Sequence, residues 1–327
     1  MSWRGRNFAS RGKFTVELSS GDRQEIRRTL RQAYEEVRSG RGFVLLRGLA
    51  TGRMDLGEFI TEVWEIGRHF GNALSQNAEG ELVGHVVDAT RDVATPRLFH
   101  SNLELRLHTD NTAMILLACW NRAQAGGDTI LTSAVTVHEE FQKRRPDLLN
   151  LLHRGFHCHR RGEQGPGEEP VTPYRIPVFA LRDGMLSCRY QRALIAAGHR
   201  ELELPLSQCE VEALDLFDEI ATAPENRLVF NLERGDVVII NNYTVLHART
   251  RFTEHPDPER RRHLLRLWLD ADGFRTVPAE VRLFPSANGV PPQEGRSCSY
   301  DFEKLYREDP VASGGIQRLD SASRNDE

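Results

Sequence analysis

A long series of short β-rich runs, beginning at Glu81, constrains the fold more than any other feature of the sequence. The runs are rich in branched and aromatic residues and are separated by Gly, Pro and Asn, which favour turns. They cover residues 81–88, 103–109, 113–120, 129–132, 176–181, 186–190, 227–232, 236–240 and 263–269. Because helices interrupt them only twice, they predict a sandwich, barrel or jelly roll rather than a parallel βαβ sheet. We therefore expect a mainly β fold with flanking helices.

Helical periodicity is confined to a few segments. Residues 23–38 place apolar side chains at helical spacing, Phe43–Leu46 has the composition of a short buried strand, and Asp55 opens a second helix. Two further helices, at about 134–144 and 208–222, are the predicted interruptions of the β-rich region. The chain thus opens with an αβα unit before the strands begin.

We expect one large domain of 327 residues rather than two modest ones. It would comprise the αβα elements at 20–70, a β core at 71–275 and a C-terminal extension at 276–327. Residues 161–173 are polar and rich in Gly and Pro, which predicts a mobile loop that serves as a lid over the core. Residues 312–327 have the composition of a frayed, disordered tail.

Charge and composition exclude several classes of partner. The formal net charge is −4, which argues against binding a nucleic acid or an anionic membrane surface. The longest apolar run, Ala113–Trp120, is too short to span a bilayer. No GxGxxG or Walker pattern follows a strand, which argues against nucleotide binding. A small molecule is the expected partner, and the oligomeric state stays open, a homo-oligomer included.

The cysteines and the N-terminus predict a cytoplasmic protein. The five cysteines are odd in number and scattered, so they do not form a disulfide framework. The first residues are basic but lack the apolar region of a secretory signal.

The tripeptide His108-Thr109-Asp110 is the strongest candidate for chemistry. Residues two apart on a strand share a face, so His108 and Asp110 project together. The later run Gly235–Ile240 leads through two asparagines to His247, and such distant strands can be neighbours in a β-sandwich. Two imidazoles and one carboxylate form the facial triad of non-haem Fe(II) oxygenases. That site leaves positions open for a chelating cosubstrate and dioxygen.

Arginines on a nearby strand suggest how anions are bound. Alternate side chains share one face of the predicted strand 263–269, and Arg262, the residue before it, continues the pattern. This face carries Arg262, Leu264, Arg266 and Trp268. A guanidinium grips a carboxylate with two hydrogen bonds, so Arg262 suits the far end of a dicarboxylate cosubstrate. Arg266 would lie deeper or to the side, where it could hold an anionic group of the substrate.

Two other functions fit the same three ligands. A zinc hydrolase would use them with water in an open position, but no general-base glutamate is evident near the triad. A non-catalytic jelly-roll binding module would retain the fold without turnover. Metal analysis separates the hydrolase from an oxygenase, and oxygen consumption separates the binding module.

Four motifs together resemble the taurine dioxygenase-like (TauD/TfdA) family of Fe(II)- and 2-oxoglutarate-dependent oxygenases, in the clavaminate synthase-like group. They are HTD at 108–110, GGDT at 126–129, GDVVIINN at 235–242 leading to His247, and RRHLLR at 261–266. The resemblance covers about residues 41–272 and implies a double-stranded β-helix, the jelly-roll core, with helices packed outside.

The resemblance also implies roles for single residues. His108, Asp110 and His247 would bind Fe(II), while Arg262 and Thr129 would hold the 5-carboxylate of 2-oxoglutarate. The expected reaction consumes 2-oxoglutarate and O2 and oxidises an aliphatic C–H bond of a small polar or anionic substrate, such as an amino acid derivative. Hydroxylation is the default outcome, and desaturation or cyclisation uses the same chemistry.

The substrate itself is not predicted. Gln76, Asn102 and Glu104 are candidate substrate contacts in segments that do not carry the pocket residues of the taurine enzyme in an alignable way. Arg266 matches the family position that contacts an anionic substrate group. Arg189 and Arg192 could also bind an anion, but the surface edge of a hairpin is the favoured prediction for both.

Overall fold

The secondary structure comes from a computed structural model that describes residues 15–18, 23–49, 52, 54–88, 101–284, 288–295 and 309–313. Its helices are α1 (Arg23–Ser39), α2 (Leu56–Arg68), α3 (Ala134–Arg144), α4 (Pro146–Arg154), α5 (Arg192–Glu201), α6 (Gln208–Thr222) and α7 (Pro310–Ser313). Its strands are β1 (Thr15–Glu17), β2 (Phe43–Arg47), β3 (Asn72–Leu74), β4 (Gly84–Val86), β5 (Leu105–His108), β6 (Met114–Asn121), β7 (Ala125–Gly126), β8 (Thr129–Ser133), β9 (Phe179–Arg182), β10 (Met185–Cys188), β11 (Arg227–Phe230), β12 (Val237–Asn241), β13 (Val245–Arg249), β14 (Phe252–Thr253) and β15 (His263–Asp270). Residues 314–327 of the predicted tail lie outside the described residues.

Two main sheets carry eleven of the described strands, and the pairs β9-β10 and β7-β14 form two-stranded sheets. The seven-stranded sheet has the order β1-β2-β12-β6-β15-β3, with β4 also paired to β15. The four-stranded sheet has the order β11-β8-β13-β5. Apart from the parallel pair β1 and β2, the strand pairs within the described residues are antiparallel. The prediction of a mainly β fold with flanking helices is confirmed.

Side chains of the central strands alternate between two apolar layers. In β2, Val44 and Leu46 pack in a cluster with the apolar faces of α1 and α2. Phe43 and Leu45 point the opposite way and pack with Leu131 of the smaller sheet. Each fully buried side chain of this size contributes about 1.5–3 kcal/mol. A slip of one residue would exchange the two layers, so the register of this strand is strongly specified.

Helices α1, α2, α3 and α6 confirm the predictions from periodicity. Asp55 caps α2: its side chain accepts from the backbone of Glu58, whose side chain reaches back to the Asp55 backbone. Ser207 and Glu210 form the same reciprocal capping box before α6. Each box satisfies two backbone donors that a helix start leaves unpaired.

Helices α4 and α5 were not predicted. Helix α4 begins with Pro146 and buries Leu148, Leu149 and Leu152, a pattern that favours a helix. Helix α5 is different, because residues 192–199 are all buried, the polar Arg192 and His199 included. Polar residues in a helix are expected on its exposed face, so the burial of this helix could not be predicted from its sequence.

The loop predicted to be a mobile lid is partly anchored. Arg160, Arg161 and Glu163 are buried, and Glu163 is fully enclosed. The Glu163 carboxylate pairs with Arg161 at 3.2 Å and accepts a hydrogen bond from the backbone of Ala78 at 3.3 Å. The first residues of the predicted lid are therefore part of the core.

Candidate active site

Three predicted metal ligands converge where β5 and β13 meet. His108 and His247 are cross-strand partners, and Asp110 follows β5 by two residues. The His108 Nε2 atom lies 3.6 Å from Asp110 Oδ1, and His247 Nε2 lies 3.9 Å from Asp110 Oδ2. With one ligand atom taken from each side chain, the three atoms lie within 4.8 Å of one another, a grouping that could hold one metal ion.

Hydrogen bonds orient two of these ligands. His108 Nδ1 lies 2.8 Å from the carbonyl oxygen of Arg106, which can only accept, so this nitrogen carries the proton and Nε2 keeps its lone pair. Asp110 Oδ2 accepts from Trp268 Nε1 at 2.9 Å and from Arg266 Nη1 at 3.3 Å. Two side chains of β15 therefore fix the orientation of the Asp110 carboxylate.

The last asparagine of the GDVVIINN motif fixes the backbone of the HTD motif. Asn242 is fully buried, and its side-chain oxygen accepts from the Asp110 backbone at 2.9 Å. Its side-chain nitrogen donates to the carbonyl oxygens of Asp110 and Thr112, each at 2.6 Å. Sequence reasoning treated Asn242 only as a step on the way to His247.

Burial and neighbouring charge keep the ligands ready for a cation. Burial alone would raise the pKa of Asp110, but the Arg266 guanidinium and the neighbouring His108 hold it well below its usual range. Burial, together with the nearby His108, lowers the pKa of His247 to about 3. Metal ligands must be deprotonated, so His247 and Asp110 are poised at neutral pH.

A cavity opens beside the triad and is rich in arginine. Three residues that were predicted to bind cosubstrate or substrate line this cavity: Thr129, Arg262 and Arg266. Leu264 and Trp268, which were predicted to share a face with the two arginines, line it as well. The polar residues on its wall that sequence reasoning did not assign to the site are Arg106, Arg161, Gln191, Arg192, Asp218 and Arg249. Arg249 could have been found, because it is two residues beyond His247 on one strand.

The GGDT motif shapes the wall next to Arg262. Gly127 has a φ of +76°, and an added Cβ would lie 3.2 Å from Arg262 Nε. Arg262 is buried, and its Nη1 atom has no hydrogen-bond partner within the described residues. Burial lowers the pKa of Arg262 to about 10. A buried, unsatisfied guanidinium nitrogen in a cavity fits an anionic ligand.

Gln76 supports Arg266 from behind and does not line the cavity. Its side-chain oxygen accepts from Arg266 Nε at 2.6 Å, and its nitrogen donates to the backbone carbonyl of Arg266 at 2.9 Å. Arg266 in turn contacts Asp110. Gln76 therefore contacts Arg266, the proposed substrate-binding residue, but not the cavity itself.

Asn102 and Glu104 are exposed and do not line the cavity. The backbone carbonyl of Asn102 accepts from the Phe252 backbone at 3.2 Å. The structure thus brings neither side chain to the triad.

The prediction that Arg189 and Arg192 lie on the surface is wrong. Both are buried, with exposed fractions of 8% and 5%. Arg192 donates to Asp215 at 2.6 Å and to Asp218 at 2.8 Å, and Tyr190 also donates to Asp218. These partners lie on α6, more than twenty residues along the chain. A local hairpin pattern carries no information about them.

Comparison with known proteins agrees with this geometry. The sequence model of the family described as "Taurine catabolism dioxygenase TauD, TfdA family" matches residues 7–268. The chain belongs to this family. FR-33289 synthase of Streptomyces rubellomurinus is 32% identical over 256 residues, which cover 76% of this chain and 75% of that protein. The taurine hydroxylase-like protein SAT17 of Stachybotrys chartarum is 28% identical, covering 82% and 78%.

Solved structures share the fold at low sequence identity. Asparagine oxygenase in complex with Fe(II), 3-hydroxyasparagine and succinate has a TM-score of 0.56 at 17% identity, covering 79% of this chain and 93% of that one. The non-haem iron oxygenase OrfP in complex with Fe and α-ketoglutaric acid has a TM-score of 0.56 at 14% identity, covering 81% and 88%.

Membership in the TauD, TfdA family confirms the predicted enzyme class, the non-haem Fe(II)- and 2-oxoglutarate-dependent dioxygenases. Fe(II) and 2-oxoglutarate are accordingly its cofactors, and the three clustered ligands fit the metal. The zinc hydrolase and the non-catalytic module explain neither the family nor the arginine beside the GGDT motif. Within the described residues, none of the helices combines the length and apolarity needed to cross a membrane.

Proposed function

We propose that this dioxygenase hydroxylates an unactivated aliphatic C–H bond of a small amino acid or amino acid derivative that carries an anionic group. The observation that carries the proposal is the His108, Asp110 and His247 cluster beside a cavity with more arginines than carboxylates. Desaturation or cyclisation is the alternative outcome of the same oxidation.

The donor set fits Fe(II) on chemical grounds. Neutral imidazole and carboxylate are the ligands of the facial triad, and here the three ligand atoms lie within 4.8 Å of one another. Bound iron, with 2-oxoglutarate and O2, supplies the oxidising power for the C–H bond. The chain fixes the His108 tautomer through Arg106 and orients Asp110 through Trp268.

Arg262 and Thr129 are proposed to hold the distal carboxylate of 2-oxoglutarate. The buried Arg262 Nη1 atom that lacks a partner supports this role, and Thr129 lies on the same cavity wall. Apolar residues of the wall, among them Leu264 and Trp268, exclude water around these groups. In a dry site a guanidinium attracts a carboxylate more strongly than it does in bulk water.

The remaining charge of the cavity supports an anionic substrate. Asp110 and Asp218 are the carboxylates on its wall, and both contact arginines, Arg266 and Arg192 respectively. Arg161 pairs with Glu163. The wall carries more arginines than these carboxylates and the distal carboxylate of 2-oxoglutarate can neutralise, so the cavity keeps a net positive charge. We keep Arg266 as the proposed contact for the anionic group, because a metal ion bound to Asp110 would share that carboxylate with it; Gln76 holds Arg266 in place, and Asn102 and Glu104 are proposed outer contacts.

Amino acid-like substrates also suit the fold. The asparagine oxygenase and OrfP complexes contain 3-hydroxyasparagine and hydroxy-L-Arg. We propose that the two main sheets form the jelly-roll core of one oxygenase domain and that the enzyme works in the cytoplasm. Free cysteines at positions 119, 158, 188 and 209 support a reducing compartment.

The test is turnover with a panel chosen by charge. Protein prepared without oxygen is loaded with Fe(II) and 2-oxoglutarate, exposed to air and offered amino acids, N-acyl amino acids, sulfonates, phosphonates and matched neutral amides. We expect an anionic member to raise succinate formation and to yield a product heavier by one oxygen atom. Its neutral counterpart should react more slowly.

The control is the Asp110→Ala variant, which loses one metal ligand and should form no product. Equal turnover of charged and neutral members would contradict the anionic substrate. Hydrolysis of a substrate by the zinc-loaded protein, with no succinate from the iron-loaded protein, would contradict the whole proposal.

A further inference from the structure

Arg249 stands next to the metal ligands but has no assigned role. It ends strand β13 two residues beyond His247, so both side chains point to the same face and both line the cavity. Its partner on the neighbouring strand is Thr129. The strand rises about 6.6 Å over two residues, which is comparable to the length of a five-carbon dicarboxylate.

The guanidinium of Arg249 is buried and only partly satisfied. Its exposed fraction is 5%, and Nη2 donates to the backbone carbonyls of Ser101 at 2.7 Å and Leu103 at 2.5 Å. Nε and Nη1 are buried without a hydrogen-bond partner in the part of the chain that the structure describes. Leaving a charged donor buried and unpaired is costly, so these two N–H groups call for an acceptor.

The guanidinium of Arg262 is also incompletely hydrogen-bonded. Its Nη1 atom is also buried without a partner among the described residues. Both guanidiniums stack on the ring of Phe252, with Cζ atoms 4.7 Å (Arg249) and 5.0 Å (Arg262) from the ring centroid. These two like charges repel each other, while the nearby Glu254 carboxylate attracts both. An anion between them would relieve this repulsion and satisfy the open N–H groups.

We propose that Arg249 and Arg262 form a two-guanidinium clamp, with Thr129 beside it, for the distal carboxylate of 2-oxoglutarate. The inference rests on the proposed function, since it takes 2-oxoglutarate as the ligand. Arg249 then has two tasks: Nη2 holds the segment that leads into β5, and Nε with Nη1 faces the cosubstrate. Phe252 sets the position of both guanidiniums.

The test measures binding without turnover. The Mn(II)-loaded protein is titrated calorimetrically, without oxygen, with 2-oxoglutarate and with 2-oxopentanoate, which keeps the 2-oxo acid but lacks the distal carboxylate. We expect Arg249→Met to weaken 2-oxoglutarate binding about 10- to 100-fold, because hydrogen bonds to a charged group are lost. Binding of 2-oxopentanoate should stay unchanged.

A matched control separates this role from a structural one. Arg160 is also buried and donates to two backbone carbonyls, those of Leu283 and Glu169, but it does not line the cavity. Arg160→Met should leave the preference for 2-oxoglutarate over 2-oxopentanoate unchanged. Arg249→Lys keeps the charge and should recover part of the preference.

Three outcomes would overturn the clamp. An equal loss of affinity for both ligands in Arg249→Met would assign Arg249 to structure alone, and unchanged affinity for 2-oxoglutarate would remove it from the site. If Arg249→Met does not fold, Phe252→Leu provides the second measurement, and an unchanged preference there contradicts the clamp. Failure of the wild-type protein to bind 2-oxoglutarate with Mn(II) would instead overturn the proposed function and the clamp with it.

Discussion

Replacing Trp268 with Phe tests whether the carboxylate of the metal site is held by its neighbours. Trp268 is buried on β15, and its Nε1 atom donates to Asp110 Oδ2 at 2.9 Å. Phenylalanine retains an aromatic ring but has no N–H group. The variant therefore removes one donor from Asp110 and leaves the Arg266 contact at 3.3 Å in place.

The size of the effect follows from the charge on Asp110. A hydrogen bond to a charged group contributes about 1.5–3 kcal/mol, and loss of a group that orients a metal ligand typically costs about 10- to 100-fold in metal affinity. Because Arg266 still contacts the same oxygen, we expect a loss near about 10-fold. The smaller ring also leaves a cavity that lowers the free energy of unfolding by about 1–3 kcal/mol.

The assay is calorimetric titration of the metal-free protein with Mn(II), alongside urea unfolding of the same samples. Leu267→Ala is the control, because Leu267 is buried on the opposite face of the same strand. It should cost about 2–5 kcal/mol of stability and leave metal affinity unchanged. Wild-type affinity in Trp268→Phe, or an equal loss in Leu267→Ala, would refute the role of the indole.

Three further predictions concern Gly127, His159 and Glu163. Gly127→Ala should weaken 2-oxoglutarate binding and spare metal binding, because a φ of +76° strains an L side chain and the new Cβ, 3.2 Å from Arg262 Nε, would displace that side chain; calorimetry with both ligands checks this. Burial lowers the pKa of His159 to about 4, so the folded protein keeps it neutral while the unfolded chain takes up a proton below about 6.5. The free energy of unfolding should then fall as pH drops from about 7 to about 5, and fall less in His159→Gln, as urea titrations would show. Glu163→Gln should destabilise the protein by about 3–5 kcal/mol, since it leaves the Arg161 charge buried without its partner; an unchanged unfolding midpoint would contradict this.

Strand alternation and helical periodicity were enough to predict those parts of the site and fold that depend on residues close together in sequence. Alternation along a strand placed Arg262 and Arg266 on one face, and both line the cavity. The same rule applied to β13 would have added Arg249, two residues after His247. Helices α1 and α2 could be predicted because each has one apolar face and one polar face.

Partners that are distant in sequence determine the rest. Arg192 is buried because Asp215 and Asp218 of α6 neutralise it. A guanidinium in an isolated segment is expected in water, and only the folded chain shows the compensating carboxylates. Arg161 has a local partner, Glu163, but this carboxylate is tied into the core by the distant Ala78 backbone.

Asn242 shows why the HTD and GDVVIINN motifs act as one unit. Its side chain must accept from the Asp110 backbone N–H and donate to the carbonyls of Asp110 and Thr112. A primary amide offers one acceptor and two donors and so meets all three requirements, whereas a carboxylate would face two carbonyl oxygens and an alkyl group would leave three buried polar groups unpaired. His247 lies five residues further along the same segment. One buried amide therefore couples the backbone that carries Asp110 to the segment that carries the distal histidine, and the metal site is assembled by that contact.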